Sequence, residues 1–267
     1  MGAQESSKVG IPAEEFVNQA KRIVEEGEKR GIHIRIMGAL AIFIHSPGFE
    51  DLHRRLKRLG GDQIFTDIDL MSYSKHRKAV RKMMEDLGYT PDRALLFTGQ
   101  WGKRHIYHEP KNRFHVDVFF DKLDMCHVID FRGRLEVDSP TIPLADILLE
   151  KMQIVQINEK DLKDCIVLLR AHSIGETDED VINVKRIADI LSDDWGFYYT
   201  ATTNLNKLKD YTLALKELTE EEKKDVVTKI EQILDYVEKT PKSAKWQMRA
   251  KIGTKKKWYK DVYDLFQ

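Results

Sequence analysis

Two short apolar segments carry aspartates, and they constrain the possible folds of this chain more than any other feature. TDIDLMSY (Thr66–Tyr73) contains Asp67 and Asp69, and FHVDVFF (Phe114–Phe120) contains Asp117. Side chains two residues apart on a strand point to the same face, so Asp67 and Asp69 share one face of the first strand. A lone aspartate in an apolar strand is unfavourable without a cationic partner. If the two strands pair, three carboxylates converge, an arrangement that suits Mg²⁺ ions acting on a phosphoryl group.

The hydrophobic periodicity predicts an α/β first half and a helical second half. The predicted helices are Ala13–Arg30, Ala39–His45, Phe49–Leu59 and Lys75–Leu87. The predicted strands are Ile32–Met37, Thr66–Tyr73, Ala94–Thr98, His105–Glu109 and Phe114–Phe120, with Arg134–Asp138 and Thr141–Pro143 as a final hairpin or edge element. From Pro143 onward the pattern is helical, with breaks near Gly175, Trp195–Gly196 and Pro241. We therefore expect an α/β core over residues 10–145 and a C-terminal helical domain over residues 146–267.

Composition excludes several classes of protein. A length of 267 residues fits two domains or one large α/β domain, at roughly 150 residues per domain. The two cysteines, with no CxxC motif, argue against a disulfide framework and a cysteine zinc site. No apolar run is long enough to span a membrane, and the polar N-terminus lacks the apolar core of a signal peptide, so we expect a cytoplasmic protein without a membrane partner. The net charge of zero argues against a wholly basic nucleic-acid coat.

Charge is distributed unevenly near the C-terminus. Residues 214–238 contain eight acidic and four basic residues, whereas residues 239–260 contain nine Lys or Arg and no acid. Trp246, Trp258 and Tyr259 lie among these basic residues, which we call the basic tail. Basic and aromatic side chains together can bind RNA or DNA. The alternative is a solvated terminal helix whose aromatic residues pack on the protein body, and terminal charge runs of this kind are common.

The order of motifs resembles that of a known superfamily. A strand ending in Gly38 (IRIMGAL), followed by TDIDL and HVDVF, resembles the nucleotidyltransferase superfamily, whose fold is polymerase-β-like. The resemblance is closest to the bacterial AbiEii/MNT-like branch, which is associated with toxin–antitoxin and phage-abortive systems. Lys151 in ILLEKMQIV and Lys160-Asp161 in NEKDLKDCIVLL match the lysine-containing and Lys-Asp helices that follow the core in that branch. The resemblance covers roughly residues 30–170 and implies a nucleotidyltransferase-like mixed sheet with flanking helices.

The resemblance also implies roles for individual residues. Asp67 and Asp69 would hold two Mg²⁺ ions against a nucleoside triphosphate, and Asp117 would complete the metal site and act as general base. The implied nucleotide-binding residues are Gly38, Ala39, Thr66 and Lys151. The implied reaction transfers a nucleoside monophosphate to a hydroxyl group, and the acceptor stays open among a small molecule, a protein and a tRNA.

The chain departs from the family pattern at two places. Gly38 is followed by Ala39 where the family has Gly-Ser or Gly-Gly, so a hydroxyl that could contact phosphate is missing. A basic segment over residues 50–61 lengthens the interval before Asp67; its arginines could reach phosphates or coat a helix. The alternative function is a non-catalytic nucleotide-binding module, or an interaction module of the toxin–antitoxin type, that kept the fold. Two further aspartates, Asp161 and Asp164, are expected to cap or pair rather than bind metal.

Overall fold

The computed structural model describes residues 10–60, 63–96 and 103–262. The strands are β1 (Ile34–Met37), β2 (Asp67–Ser72), β3 (Thr90–Pro91), β4 (Arg104–His108), β5 (His115–Phe120), β6 (Lys122–Asp124), β7 (Val128–Asp130), β8 (Ser173–Gly175) and β9 (Val181–Asn183). The helices of the first half are α1 (Ala13–Lys29), α2 (Gly38–His45), α3 (Glu50–Leu56), α4 (Arg77–Asp86) and α5 (Arg93–Leu96). The later helices are α6 (Leu144–Met152), α7 (Glu159–Ala171), α8 (Val184–Leu191), α9 (Trp195–Ala214), α10 (Glu220–Lys239) and α11 (Ala244–Ile252).

A mixed five-stranded sheet forms the centre of the first half. Its strand order is β1–β2–β5–β4–β3. The central pair β2 and β5 is parallel, and the other neighbouring pairs are antiparallel. The α/β class predicted from the sequence is therefore confirmed, while the specific nucleotidyltransferase arrangement stays a prediction.

The chain turns directly from β1 into α2 at Gly38. This glycine has a φ of 71°, a left-handed conformation that residues with a side chain adopt only with strain. Helix α2 then packs on α6 and α7, and α1 packs on β1 and α4. The turn at Gly38 therefore places the N-terminus of α2 at the end of β1, beside β2.

Helix α6 is buried along its whole length. All nine residues from Leu144 to Met152 are buried, including Asp146, Glu150 and Lys151. It contacts α2 from the first half and α7, α8 and α9 from the second. The carboxylate of Asp146 forms salt bridges with Arg134 at 2.7 Å and Arg186 at 3.1 Å, which compensates its burial. The predicted boundary between residues 145 and 146 lies within α6, and the division into domains stays a prediction.

The structure corrects two expectations about secondary structure. The strand predicted over Ala94–Thr98 is wrong for Ala94–Leu96, which belong to α5, because the Asp92 carboxylate accepts the Ala94 N–H and starts a helical turn. Residues 97–102, including the rest of that prediction, lie outside the described residues. Arg134–Asp138 forms turns rather than a strand, tied down by the Tyr73 hydroxyl, which accepts the Leu135 N–H. The helix break predicted near Trp195–Gly196 is confirmed, since α8 ends at Leu191 and α9 begins at Trp195.

The basic tail is largely ordered against the protein in its described part. Trp246 packs edge-on against Tyr198, with ring centroids 5.1 Å apart, and Trp258 packs similarly against Tyr199 at 5.0 Å. This packing agrees with the alternative in which the aromatic residues of the tail pack on the protein body. Nucleic-acid binding by the basic side chains of the tail stays a prediction. Within the described ranges, the helices lack the combination of length and apolar character that crossing a membrane requires.

Candidate active site

Asp69 and Asp117 lie directly opposite each other on the parallel strands β2 and β5. Residues paired in register on neighbouring strands point to the same face of the sheet, so the two carboxylates lie side by side. Asp67, two residues before Asp69, shares that face and is paired in register with His115. The two apolar segments thus pair, which was the condition for convergence, and the three aspartates lie on one face of the sheet.

The electrostatics of Asp69 show how close these carboxylates are. Burial raises the pKa of Asp69 well above its usual value, and the negative charges of Asp67, Asp117 and Glu150 raise it further. A carboxyl with three like-charged neighbours is stabilised by any cation that enters between them. The site therefore favours either protonation of Asp69 or a bound cation.

Asp117 is buried, with 3% of its surface exposed. One of its oxygens forms a salt bridge with Arg104 on the neighbouring strand β4. Its other oxygen, Oδ1, is buried without a hydrogen-bond partner among the described residues. Burial raises the pKa of Asp117, and the charge and hydrogen bond of Arg104 oppose that rise. An acceptor without a partner in a buried position is costly, so a cation or hydrogen-bond donor that reached Oδ1 would be stabilising.

Glu150 on α6 completes a four-carboxylate cluster, and the sequence analysis missed it. Its Oε1 accepts the Gly38 N–H at 2.7 Å, while its Oε2 is buried without a partner among the described residues. Burial raises the pKa of Glu150 to about 8, although Lys151 and the Gly38 N–H act to lower it. The carboxylate therefore lies at the N-terminus of α2, where the exposed N–H groups and the helix dipole favour a negative charge.

Gly38 fits closely between Glu150 and Asp69. A Cβ atom placed on Gly38 would lie 3.0 Å from Asp69 Oδ2, so the absent side chain leaves the space that this carboxylate occupies. From the sequence, Gly38 is predicted to end the first strand. In the structure, a larger residue at this position requires the Asp69 carboxylate to shift by a few tenths of an ångström.

Lys151 is held in a buried network of charges. Its ammonium group lies 3.1 Å from an Asp161 oxygen and 3.0 Å from an Asp164 oxygen. Asp164 also accepts a hydrogen bond from Arg58 at 2.8 Å. Burial acts to lower the pKa of Lys151, but Asp164 and Asp161 raise it above the usual range of a lysine. Lys151 is therefore a fixed positive charge beside the carboxylates.

A pocket of about 130 Å³ opens beside these residues. It is lined by Met37, Gly38, Asp69, Phe119, Leu123, Met125, Glu150, Lys151, Gln153 and Ile154. One part of this lining is charged and carries the backbone of Gly38, and the other part is formed by aromatic and aliphatic side chains. A pocket with both characters suits a ligand that joins a charged group to a flat apolar one.

The predicted site residues differ in how closely they approach this pocket. Gly38, Asp69 and Lys151 line it. Ala39 is half-buried in the first turn of α2, and Thr66 is exposed immediately before β2. The basic segment is engaged elsewhere, since Arg58 pairs with Asp164 and Arg55 pairs with Glu222 at 2.6 Å. These arginines stabilise contacts with the helical half of the chain.

The donor set fits a hard cation in its chemistry. Carboxylate oxygens are the ligands that Mg²⁺ prefers, and the Asp117 and Glu150 oxygens without partners supply two of them. Among the residues that the structure describes, no group of three or more His, Cys, Asp or Glu side chains has the mutual geometry of a metal site. Arg104 holds one oxygen of Asp117, so joint ligation by the three aspartates requires this side chain to be exchanged for the ion.

Comparison of the chain with protein-family models, with curated proteins and with solved structures found no match. The resemblance to nucleotidyltransferases therefore rests on the motifs of the chain itself and stays a prediction.

Proposed function

We propose that this protein is a metal-dependent nucleotidyltransferase that moves a nucleoside monophosphate from a Mg²⁺-bound nucleoside triphosphate to an acceptor hydroxyl. The observation that carries the proposal is the register of β2 and β5, which places Asp69 opposite Asp117. The N-terminus of α2 begins next to them, at Gly38. Carboxylates that could hold cations thus lie beside the N-terminus of a helix, where the Gly38 N–H binds the Glu150 carboxylate.

In the proposed reaction, the acceptor oxygen attacks the α-phosphorus of the triphosphate. The new O–P bond forms as the bond between the α-phosphorus and its bridging oxygen breaks, and pyrophosphate leaves. The acceptor hydroxyl gives up its proton to the Asp117 carboxylate, whose pKa is raised by burial and which is therefore a stronger base than an exposed aspartate. When bound, Mg²⁺ supplies charge stabilisation for the phosphate oxygens; Asp67, Asp69 and Asp117 would hold it.

The lining of the pocket favours one orientation for the part of a nucleotide that would enter it. Phosphates are expected at the charged part, where Lys151 provides a fixed positive charge and a phosphate oxygen would replace Glu150 as the acceptor of the Gly38 N–H. The nucleobase is expected against the apolar part, where Phe119, Leu123 and Met125 offer flat and flexible surfaces. The acceptor can be a small molecule, a protein or a tRNA, because each presents a hydroxyl group.

The experiment that tests this function has two measurements on the purified chain. A thermal-shift screen of the four nucleoside triphosphates with and without Mg²⁺ should give stabilisation that requires both nucleotide and metal. Incubation of a cell lysate with α-³²P-labelled triphosphates and the protein should then label an acceptor. Asp69→Asn should abolish labelling, and Asp189→Asn on the exposed face of α8 should not. If none of the four triphosphates stabilises the protein in the presence of Mg²⁺, the proposal is contradicted.

The second candidate is a non-catalytic nucleotide-binding or toxin–antitoxin-type interaction module. The salt bridge between Arg104 and Asp117 favours this second candidate. In it, the Arg104 guanidinium occupies the carboxylate that the first candidate assigns to metal binding and proton transfer. This candidate predicts thermal stabilisation by a nucleotide without transfer to any acceptor, and equal stabilisation with or without Mg²⁺. The same two measurements therefore separate the two functions.

A further inference from the structure

The segment over residues 256–262, which we call the C-terminal strap, crosses the hairpin formed by β6 and β7. The Lys260 N–H donates to the Cys126 carbonyl oxygen at 3.0 Å. The Lys260 ammonium group forms a salt bridge with Asp124. Asp124 is the last residue of β6, and Cys126 lies in the tip of the hairpin between its two strands. The strap is thus attached to the hairpin by one backbone bond and one ion pair.

Trp258 anchors the strap to α9. Its indole N–H donates to the Thr200 hydroxyl oxygen at 3.1 Å, and its ring packs on Tyr199. Gly196, in the first turn of α9, lies directly under the strap backbone. A Cβ placed on Gly196 would lie only 2.6 Å from the Trp258 carbonyl oxygen. The strap therefore docks at a position that only a glycine leaves open.

The hairpin that the strap holds is a wall of the candidate pocket. Leu123 on β6 and Met125 at the tip both line the pocket. At the end of the tip, a hydrogen bond of 2.8 Å joins His127 Nε2 to the Thr200 hydroxyl that also binds Trp258. The His127 N–H donates to Gln153 Oε1 at 3.1 Å, and Gln153 lines the pocket as well. A continuous path of contacts thus joins Trp258 to the pocket.

The hairpin needs such support because of its size. Its strands have three residues each, and a two-stranded hairpin is marginally stable in water by itself. Its central side chains Leu123 and Ile129 are buried in the core, which fixes its middle. At the tip, His127 is bonded to Gln153 and Thr200, and the strap adds the contacts of Lys260 with Cys126 and Asp124 from outside.

We propose that the C-terminal strap is a positioning element for the nucleobase: by fixing the tip of the hairpin, Trp258 and Lys260 hold the apolar pocket wall in the shape that accepts a base. This inference rests on the proposed function, because it assigns that wall to the base of a bound nucleotide. It gives the C-terminal segment a role in substrate binding that depends on the docked Trp258 ring and on the Lys260–Asp124 ion pair, and not on nucleic-acid binding by the other basic residues.

The test uses Gly196→Ala, which displaces the strap without altering the hairpin, the pocket or the strap itself. Thr203→Ala, an exposed substitution on the same helix, is the matched control. Trp258→Phe, which keeps a ring but loses the indole N–H, is a second variant that disturbs the backbone less. Circular dichroism and the unfolding temperature first establish that each variant is folded.

The first readout is the alkylation rate of Cys126, which reports on the hairpin tip. Cys165 is fully buried, and burial raises the pKa of its thiol well above the usual value, so it is the unreactive internal reference. Loss of one net hydrogen bond at the tip corresponds to about a tenfold faster reaction in Gly196→Ala. An unchanged Cys126 rate in both strap variants overturns the coupling between strap and hairpin.

The second readout is the affinity for a Mg²⁺-bound triphosphate and the kinetics of transfer. The pocket wall is expected to contact the nucleobase equally in the ground state and in the transition state. Loss of such a contact raises KM and leaves kcat unchanged, so we expect KM to rise about tenfold in Gly196→Ala. An accelerated Cys126 reaction with unchanged nucleotide affinity overturns the inference alone. A wild-type protein that binds no triphosphate overturns the proposed function and this inference together, and it is recognised before any variant is made.

Discussion

Asp69 and Asp117 face each other across the only parallel strand pair within the described part of the five-stranded sheet. Their negative charges repel each other, and the protein compensates the charge of Asp117 but not that of Asp69. Asp117 has the Arg104 guanidinium as a partner, whereas Asp69 has carboxylates around it and a raised pKa. The cluster is therefore unstable as a fully ionised group, and its stability should respond to substitution, to pH and to divalent cations.

Asp69→Asn should raise the free energy of unfolding at pH 7 while it abolishes nucleotide transfer. Because the pKa of Asp69 is raised in the folded state, the folded protein holds this proton more tightly than the unfolded chain. Stability is therefore lost as the pH rises above the unfolded pKa of about 4, and the amide removes this loss. Urea unfolding at pH 5 and pH 7 checks the prediction, which fails if the wild type is the more stable protein at pH 7.

Asp117→Asn and Asp117→Ala should differ in stability and agree in activity. The asparagine fills the same buried space, whereas alanine leaves a cavity and removes the partner of Arg104 on the pocket side. Neither can accept a proton from the acceptor, so both should lose about 10²–10⁴-fold in transfer rate. Steady-state kinetics beside thermal unfolding separates the effects, and a rate near that of the wild type in Asp117→Asn would remove Asp117 from the role of base.

Gly38→Ala should destabilise the protein more than Gly31→Ala does. Both glycines have positive φ, 71° and 67°, so each substitution costs about 1–2 kcal/mol of backbone strain. No atom lies within 4 Å of a Cβ built on Gly31, whereas on Gly38 it meets Asp69 Oδ2 at 3.0 Å. The difference between the two unfolding free energies measures the contact with Asp69, and equal values would show that this contact relaxes without cost.

Lys151→Met should destabilise the protein by about 3–5 kcal/mol, because it leaves the buried carboxylates of Asp161 and Asp164 without their shared cation. The matched control is Lys185→Met, which removes an exposed pair with Asp189 on α8 and should be neutral. A second substitution, Asp161→Asn, should restore part of the loss in Lys151→Met. Denaturant unfolding of the four proteins checks the prediction, and equal effects of the two lysine variants would contradict it.

His127 should make the protein sensitive to mild acid. Burial lowers the pKa of His127 from 6.5 to about 4, so the unfolded chain takes up a proton between these values and the folded protein does not. Stability therefore falls as the pH decreases through this interval. Between pH 7 and pH 5 the loss from this residue amounts to about 2 kcal/mol, at 1.36 kcal/mol per pKa unit. In His127→Gln, the free energy of unfolding should fall by about 2 kcal/mol less between pH 7 and pH 5 than in the wild type. Urea unfolding at both pH values measures this difference.

The two strands β2 and β5 could be recognised from the sequence, because each is a short apolar segment that contains aspartate. Such a segment is expected to be buried in a sheet. The convergence of Asp67, Asp69 and Asp117 followed from the pairing of these two strands. Lys151 was identified by its motif, but its pairing with two aspartates on α7 depends on how α6 and α7 pack, which no local pattern specifies.

Glu150 was missed because its partner Gly38 lies 112 positions away in the sequence. A glutamate in the middle of a helix usually lies on a solvated face, and only the complete burial of α6 reverses that expectation. The strand predicted at Ala94 failed for a different reason. There the side chain of Asp92 offers the backbone a hydrogen bond that starts a helix, and apolar periodicity does not register such a contact.

The burial of α6 also has a consequence for synthesis of the chain. Helix α6 emerges from the ribosome after α2 but before α7, α8 and α9, which cover its remaining sides. Until residue 214 has been made, the apolar side chains of Leu144–Met152 lack at least one of these three helices and stay available to chaperones. Because α6 carries Glu150 and Lys151, the carboxylate cluster is assembled late, only when the helical half is present to enclose it.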